Sequence, residues 1–259
     1  MNVRSVPLIS GPRTGRPPVP ETLLDELHRL EERKGEMIAA VDGSSGQVLG
    51  TAGLYPDRDE GGVFFHLSGL QMGPGPRVAD LDVLLLEKVG LFLGRRHVTR
   101  LKLGTSPLLT RNAWLYVNRF GSRYRWREGP RTAEGVPWPY VSCEVDFDDP
   151  LARPLDLGDD EVIPRSVVAW EAGRPVRRTV AYSGPLSVLL PDLDAEALAS
   201  AALSAPAGSD PDGITLLHSL FHDLHIHGYG FAWFDELPGR LAPAGTPRWY
   251  YVMKRVVSL

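Results

Sequence analysis

The chain has 259 residues, of which 43% are hydrophobic and 23% are charged, a composition typical of a soluble globular protein. Its net charge of −4 argues against a dedicated binder of double-stranded nucleic acid. The single cysteine, Cys143, excludes an internal disulfide framework and indicates a reducing, cytoplasmic location. No apolar run reaches the roughly 20 residues of a membrane-spanning helix, and the prolines of 7–20 argue against a signal peptide.

The first 55 residues change character three times. Residues 1–20 are rich in Pro, Gly and Arg, which predicts a flexible N-terminal arm. Leucines at helical spacing then predict an amphipathic helix over 21–34. Apolar runs at 37–41 and 47–55 flank a short stretch of turn-forming residues, so we expect a β-hairpin.

Helices and strands then alternate up to residue 147. The strongest helix signal is a segment that is apolar on nearly all sides, as expected for a helix packed deep against a sheet. Cys143 lies in an alternating run, which indicates a strand residue rather than a nucleophile. The expected order is strand, helix, strand, helix, strand, strand, at 63–70, 81–93, 97–103, 107–118, 122–127 and 140–147.

An acidic, proline-containing stretch at 148–161 predicts a domain boundary near residue 150. We therefore expect one domain over 21–150 and a C-terminal α+β region over 151–259. The final helix–strand–strand order repeats that of 107–147, which leaves open a second, degenerate half of the same kind or simple convergence. The elements expected here are strands at 163–170 and 176–182, helices at 195–203 and 214–227, and strands at 231–234 and 249–257.

The stretch 77–82, Arg-Val-Ala-Asp-Leu-Asp, stands before the apolar helix, and it lies where an anion-binding loop would lie. Together with residues further along, it resembles the GNAT superfamily of N-acetyltransferases over about residues 35–147. The positions that carry the resemblance are Arg77, Leu85, Leu86, Thr105, Asn112 and Tyr116.

The resemblance implies an α/β (α+β) fold with a mixed, mostly antiparallel sheet flanked by helices. It also implies transfer of an acyl group from a coenzyme A thioester, or another thioester, to an amine of a small molecule or peptide. Tyr116 would protonate the departing thiolate, and a central strand would supply the base, for which Glu60, His66 and Glu144 are candidates. The positions expected to bind the cofactor are Leu70, Met72, Gly73, Gly75, Arg77, Thr105 and Asn112.

Two carboxylates depart from the family pattern, because Asp80 and Asp82 stand where the family has small residues. Close negative charges oppose a pyrophosphate, although Asp80 is also a favoured N-cap residue. The departure keeps two alternatives open: a degenerate, non-catalytic binding or scaffold protein, and an enzyme that uses an acyl carrier protein or aminoacyl-tRNA as donor. A homodimer is also left open.

Histidines are concentrated within residues 218–227. His218, His222 and His225 fall one helical turn apart, a spacing that suits zinc ligands. No known zinc signature is met, so a histidine-rich polar helix face is the alternative and no metal is expected.

Overall fold

The computed structural model describes residues 2–6, 21–72, 80–127, 139–148, 164–171, 174–190, 213–236 and 249–256. The chain divides into two compact units, Met1–Leu103 with Asp146–Asp148, and Gly104–Val145 with Asp149–Leu259. The boundary expected near residue 150 falls next to a stretch outside the described residues and stays a prediction. None of the described helices is long and apolar enough to cross a membrane.

The first unit is built on strands that follow one another in chain order. Strands β1 to β4 pair antiparallel with their neighbours, whereas β4 and β5 run parallel. The elements are β1 (Asn2–Val6), α1 (Glu21–Glu32), β2 (Glu36–Val41), β3 (Val48–Asp59), β4 (Gly62–Met72), α2 (Leu81–Gly94) and most of β5 (Arg100–Thr105).

Helices α1 and α2 cover opposite faces of this sheet. Tyr55 of β3 packs against Leu30 of α1, whereas Phe65 of β4 meets Phe92 of α2 with ring centroids 5.9 Å apart. Because strand side chains alternate between faces, His66, which pairs with Tyr55, lies on the α1 face. Coverage on both sides explains why residues 51–54 of β3 are all buried rather than alternately buried.

The second unit contains a helix that changes its winding. Helix α3 (Thr110–Ala113) runs directly into a π-helix (Trp114–Arg119), in which the Phe120 amide donates to the Leu115 carbonyl at 3.1 Å. The remaining elements are β6 (Arg123–Arg127), β7 (Tyr140–Asp146), β8 (Arg165–Ser166), β9 (Val168–Glu171), β10 (Arg174–Arg177), β11 (Leu186–Leu190), α4 (Gly213–Ile226), β12 (Tyr229–Glu236) and β13 (Trp249–Arg255).

Strand pairing in this unit joins segments distant in sequence. Strands β6 and β7 form an antiparallel pair, as do β9 and β10. A four-stranded sheet has the order β12-β13-β11-β8, in which β11 pairs antiparallel with β13 and parallel with β8. The predicted fold class, a mostly antiparallel mixed sheet with flanking helices and a further C-terminal α+β region, is confirmed.

Several local expectations differ from the structure. Asn2–Val6 forms β1 rather than part of a flexible arm, because backbone pairing with β2 orders it. The strand expected at 97–103 begins at Arg100, since His97 has a φ of 56° and lies in a turn. Strand β11 was not expected, and the helix expected at 195–203 lies outside the described residues.

Gly35, between α1 and β2, provides a test of the packing in the first unit. A Cβ there would lie 2.5 Å from the Leu54 carbonyl oxygen and 3.0 Å from that of Leu30. We expect Gly35→Ala to lower the free energy of unfolding by about 1–3 kcal/mol, because backbone atoms must move. Gly94→Ala is the control, since a Cβ there meets nothing within 4 Å. Urea unfolding followed by circular dichroism measures both, and equal stabilities would contradict the expectation.

Two buried tyrosines provide a matched test in the second unit. The Tyr251 hydroxyl donates to the Pro107 carbonyl at 2.9 Å, whereas the Tyr124 hydroxyl has no hydrogen-bond partner within the described part of the chain. We expect Tyr251→Phe to cost about 1–3 kcal/mol, because it leaves a buried carbonyl unsatisfied. Tyr124→Phe should be neutral or stabilising in the same urea titration. A comparable loss in Tyr124→Phe would mean that a bound molecule satisfies its hydroxyl.

Candidate active site

Strand β4 carries a β-bulge. Leu67 is opposite Leu54 of β3 and Gly69 is opposite Gly53, so Ser68 is one extra residue in the ladder. The bulge follows directly after the described parallel pairing with β5, where His66 is opposite Lys102. Bulges re-aim backbone groups and side chains and are over-represented beside active sites. This part of β4 is therefore the centre of the candidate site.

His66 is the titratable side chain next to the bulge, and 31% of it is exposed. Its Nε2 lies 3.3 Å from Oδ2 of Asp57 on β3. The ring stacks on Tyr55 at a centroid distance of 4.8 Å and meets Phe64 edge-on at 4.9 Å. Its neighbours Phe65 and Leu67 are buried, so His66 points away from them, as the alternation predicts.

Burial lowers the pKa of His66 below its ordinary value of 6.5, against the raising effect of the Asp57 carboxylate. Lys102 and Arg33 add smaller contributions that also lower this pKa. At neutral pH the imidazole is therefore mainly uncharged. It has the protonation state that a general base requires.

A charged cluster stabilises the adjoining part of β5. Both oxygens of Asp59 accept hydrogen bonds from the Arg100 guanidinium at 2.9 Å, and Lys102 also donates to Asp59. Arg100 first, and then Lys102, hold the pKa of Asp59 well below its usual range. The Lys102 ammonium also lies 4.1 Å from the Phe64 ring centroid. Because Asp59 offsets the Lys102 charge, that cation disturbs His66 less than a lone cation would.

Two of the expected cofactor-binding residues lie at the end of β4. Leu70 is opposite Ala52, and Met72 is opposite Gly50. A Cβ added at Gly50 would lie 3.2 Å from side chains of α2. Met72 is 47% exposed. The strand leads straight into the segment of Gly73, Gly75 and Arg77, which lies outside the described residues.

The start of α2 shows what the two unexpected carboxylates do. Asp80 occupies the N-cap position with a left-handed φ of 58°, but its side chain makes no capping hydrogen bond to the helix. Its carbonyl accepts from the Leu84 amide at 3.0 Å. Asp82 accepts from the adjacent Val83 amide at 2.9 Å. One amide of the first turn is thus already occupied by a carboxylate.

The other residues that the sequence predicted for the acyltransferase site belong to the second unit. Thr105 is buried, and its hydroxyl accepts a hydrogen bond from the Asn112 amide group at 2.9 Å. Tyr116 is buried in the π-helix, a winding that is frequent at functional sites. Glu144 is half-buried on β7, opposite Arg123 of β6.

Buried groups near Tyr116 were not expected from the sequence. Cys143 is buried, and burial raises the pKa of its thiol to about 12, so it remains a thiol and a strand residue. Tyr124 is opposite Cys143, and burial, with Tyr251, Cys143 and Tyr116 nearby, raises the Tyr124 pKa well above 10. The alternation of charged and aromatic residues over β6 is the signal that could have identified Tyr124 as a core residue.

The histidine-rich helix places two of its rings beside a tryptophan. His218 and His222 of α4 have nearly parallel rings with centroids 6.5 Å apart, and both lie near Trp126 of β6 at 5.2 and 6.4 Å. His225 is exposed. Over the described ranges, no three His, Cys, Asp or Glu side chains converge as a metal site requires.

A polar network around Asp223, the residue after His222 on α4, was also missed. The Tyr182 hydroxyl donates to Asp223 at 2.7 Å and accepts from Arg177 at 2.6 Å, while Arg177 also donates to Asp223. The Tyr182 hydrogen bond lowers the pKa of Asp223 most, followed by Arg177. Because Asp223 is more than 40 residues from both Arg177 and Tyr182, no local pattern marked the network.

Comparison with known proteins gives similarity in structure alone. No family model matches the chain, and no curated protein does. Many of the solved structures that resemble it are GNAT-family acetyltransferases, all at low sequence identity. An IAA acetyltransferase from Bacillus cereus is 14% identical with a TM-score of 0.43, and the match covers 56% of this chain and 98% of that one.

Two further matches are similarly distant. A GNAT family acetyltransferase from Elizabethkingia anophelis, with acetyl-CoA bound, is 17% identical over 56% of this chain and 97% of that one, with a TM-score of 0.41. FeeM, an N-acyl amino acid synthase from uncultured soil microbes, is 11% identical over 57% and 97%, with a TM-score of 0.36. Matches at this distance do not transfer an activity to this chain.

Proposed function

We propose that this protein transfers an acyl group from a coenzyme A thioester to an amine of a small molecule or peptide. The observation that carries the proposal is the pairing of a β-bulge at Ser68 with a half-buried, mainly neutral histidine two residues before it. A bulge and a poised base on one strand are the parts that acyl transfer to an amine needs.

His66 is the proposed general base. An ammonium group is not nucleophilic, so the acceptor must lose a proton before its nitrogen attacks. The neutral imidazole takes this proton, while the amine lone pair forms the new bond to the thioester carbonyl carbon. Glu144, on β7, is another candidate, and its position opposite Arg123 supports a structural role instead. Glu60 is exposed in the turn between β3 and β4.

Backbone amides of β4 near the bulge are the proposed oxyanion donors. Attack on the carbonyl places negative charge on its oxygen, and fixed amide dipoles stabilise that charge without reorganising. A ladder that gains one residue at Ser68 turns local peptide groups away from regular pairing directions. This is the support for placing the carbonyl at the bulge.

Tyr116 is the proposed acid. Collapse of the addition species breaks the carbon–sulfur bond, and the departing thiolate takes the Tyr116 hydroxyl proton. The nitrogen then releases its remaining surplus proton, which restores the phenol and leaves a neutral amide. A phenol with a pKa near 10 is well matched to a thiol as proton donor. Its position in a π-helix supports a functional role over simple packing.

The donor's phosphates are proposed to bind at the start of α2. The residues proposed to contribute to cofactor binding are Leu70, Met72, Gly73, Gly75, Arg77, Thr105 and Asn112. An N-terminal helix end favours anions. Asp82 fits this role poorly, because its carboxylate already occupies the Val83 amide.

That misfit favours one alternative in particular. A donor carried on an acyl carrier protein presents a single phosphodiester instead of a pyrophosphate, so it makes a smaller demand on this helix end. The same observation also favours a degenerate binding protein with no transfer activity. Binding of free coenzyme A separates these readings from the leading proposal.

Thermal unfolding with coenzyme A or acetyl-CoA tests the donor. At about 100 times the dissociation constant, binding should stabilise the protein by about 2.7 kcal/mol, a shift of a few degrees. Arg77→Ala should abolish the shift, whereas Arg95→Ala, an exposed arginine at the other end of α2, should leave it intact. No shift in the unmodified protein would reject free coenzyme A as the donor.

Thiol release from acetyl-CoA, measured over a panel of primary amines and amino acids, tests Tyr116. We expect Tyr116→Phe to lower kcat at least tenfold while coenzyme A affinity stays unchanged, because only the acid is lost. Tyr140→Phe, on the half-buried side of β7, is the matched control. Equal kcat values in the two variants would remove Tyr116 from the mechanism.

A further inference from the structure

We infer that Asp57 is a positioning residue that holds His66 in one tautomer and so makes Nδ1 the atom that receives the proton of the acceptor amine. The inference rests on the proposed function for the identity of that amine. The contact between Asp57 and His66 stands independently of it, within the β3–β4 ladder of the first unit.

The Asp57 carboxylate has a fixed direction. Its Oδ1 accepts a hydrogen bond from the Arg58 backbone amide at 2.8 Å. The second oxygen, Oδ2, then points to His66 and lies 3.3 Å from Nε2. Because one oxygen is held by backbone, the carboxylate does not turn freely, although more than half of the Asp57 side chain is exposed.

The chemistry of the contact decides the tautomer. A carboxylate only accepts hydrogen bonds, so the imidazole nitrogen that faces it must carry a proton. A neutral imidazole has one N–H, and here that N–H belongs to Nε2. The lone pair therefore resides on Nδ1, which is the only ring atom left to act as a base.

Aromatic neighbours hold the plane of the ring. Tyr55 stacks on His66 with an interplanar angle of 29°, and Phe64 meets it nearly perpendicularly at 73°. A ring flip would place carbon where Nε2 now faces Asp57 and would lose the hydrogen bond. The stack and the carboxylate thus fix both the orientation and the tautomer of His66.

The charges around His66 make Asp57 necessary. Lys102 from β5 and Arg33 from the end of α1 face the ring and disfavour the imidazolium, as burial does. Asp57 is the carboxylate that opposes them. When Nδ1 takes the amine proton, the positive imidazolium forms an ion pair with Asp57, while the amine nitrogen uses its lone pair for the bond to carbon.

Long-range ¹H–¹⁵N spectra of the ¹⁵N-histidine-labelled protein test the inference, with His66→Gln to assign the signals. We expect the Nε2–H tautomer in the unmodified protein. In Asp57→Ala this preference should be lost and the titration midpoint of His66 should fall, because the group that raises its pKa is gone. Glu32→Ala, an exposed carboxylate on α1, should leave both readings unchanged.

Steady-state kinetics of Asp57 variants provide a second test of the inference. Asp57→Ala should lower kcat/KM about tenfold with coenzyme A affinity unchanged, and its acid limb should move to lower pH along with the His66 midpoint. Asp57→Glu, which restores a carboxylate, should recover part of the rate. An Nδ1–H tautomer in the unmodified protein, or identical spectra in Asp57→Ala, would overturn the inference.

The two proposals fail in different measurements. Tautomer and titration midpoint are read without substrate, whereas the donor is tested by coenzyme A binding. The expected tautomer without coenzyme A binding would overturn the proposed transfer and support the pairing of Asp57 with His66. Coenzyme A binding with unchanged spectra in Asp57→Ala would do the reverse.

Discussion

The register between β3 and β4 is the constraint on which the candidate site depends. The ladder runs from Asp59 opposite Gly62 to Gly50 opposite Met72, with one extra residue at Ser68. Since strand side chains alternate, a slip by one residue would move His66 to the opposite face of the sheet and separate it from Tyr55 and Asp57. The bulge shifts the register of β4 only at Ser68, after His66. His66, the proposed base, therefore keeps its pairing with Tyr55 in the hairpin.

Opposing electrostatic effects at His66 balance rather than add. Burial and two nearby cations lower its pKa, which keeps the ring uncharged and ready to accept a proton. A general base must also hold the proton that it accepts, and the Asp57 carboxylate stabilises the protonated imidazolium. Lys102 is moderated in turn by Asp59, which ties it to Arg100. The site therefore depends on the packing of Tyr55 and Phe64 against His66, and on Asp57 and Asp59 near the turn of the β3–β4 hairpin.

Periodicity in the sequence predicted the β2–β3 hairpin, α2 and the exposed side of His66, because these depend on local alternation and spacing. It did not predict the role of Asp57, because the apolar run ends at Tyr55 whereas β3 continues to Asp59. The pairing of β2 with β3 stops at Leu54, so Pro56 lies where β3 has lost one neighbour and its missing N–H costs no ladder bond. The π-helix around Tyr116 was equally out of reach, since side-chain spacing does not distinguish bonding to the fifth residue from bonding to the fourth.

The start of α2 shows why the identity of the donor is a separate question from the fold. Asp80 is a favoured N-cap residue by type, yet its side chain makes no capping bond, and Asp82 accepts a hydrogen bond from the amide of its neighbour Val83. A carboxylate that occupies a first-turn amide removes one donor and adds a negative charge, so each phosphate group brought here meets a less favourable end of the helix dipole. The penalty grows with the number of phosphate charges at this point, whereas the proton transfer proposed for His66 involves only the acceptor amine.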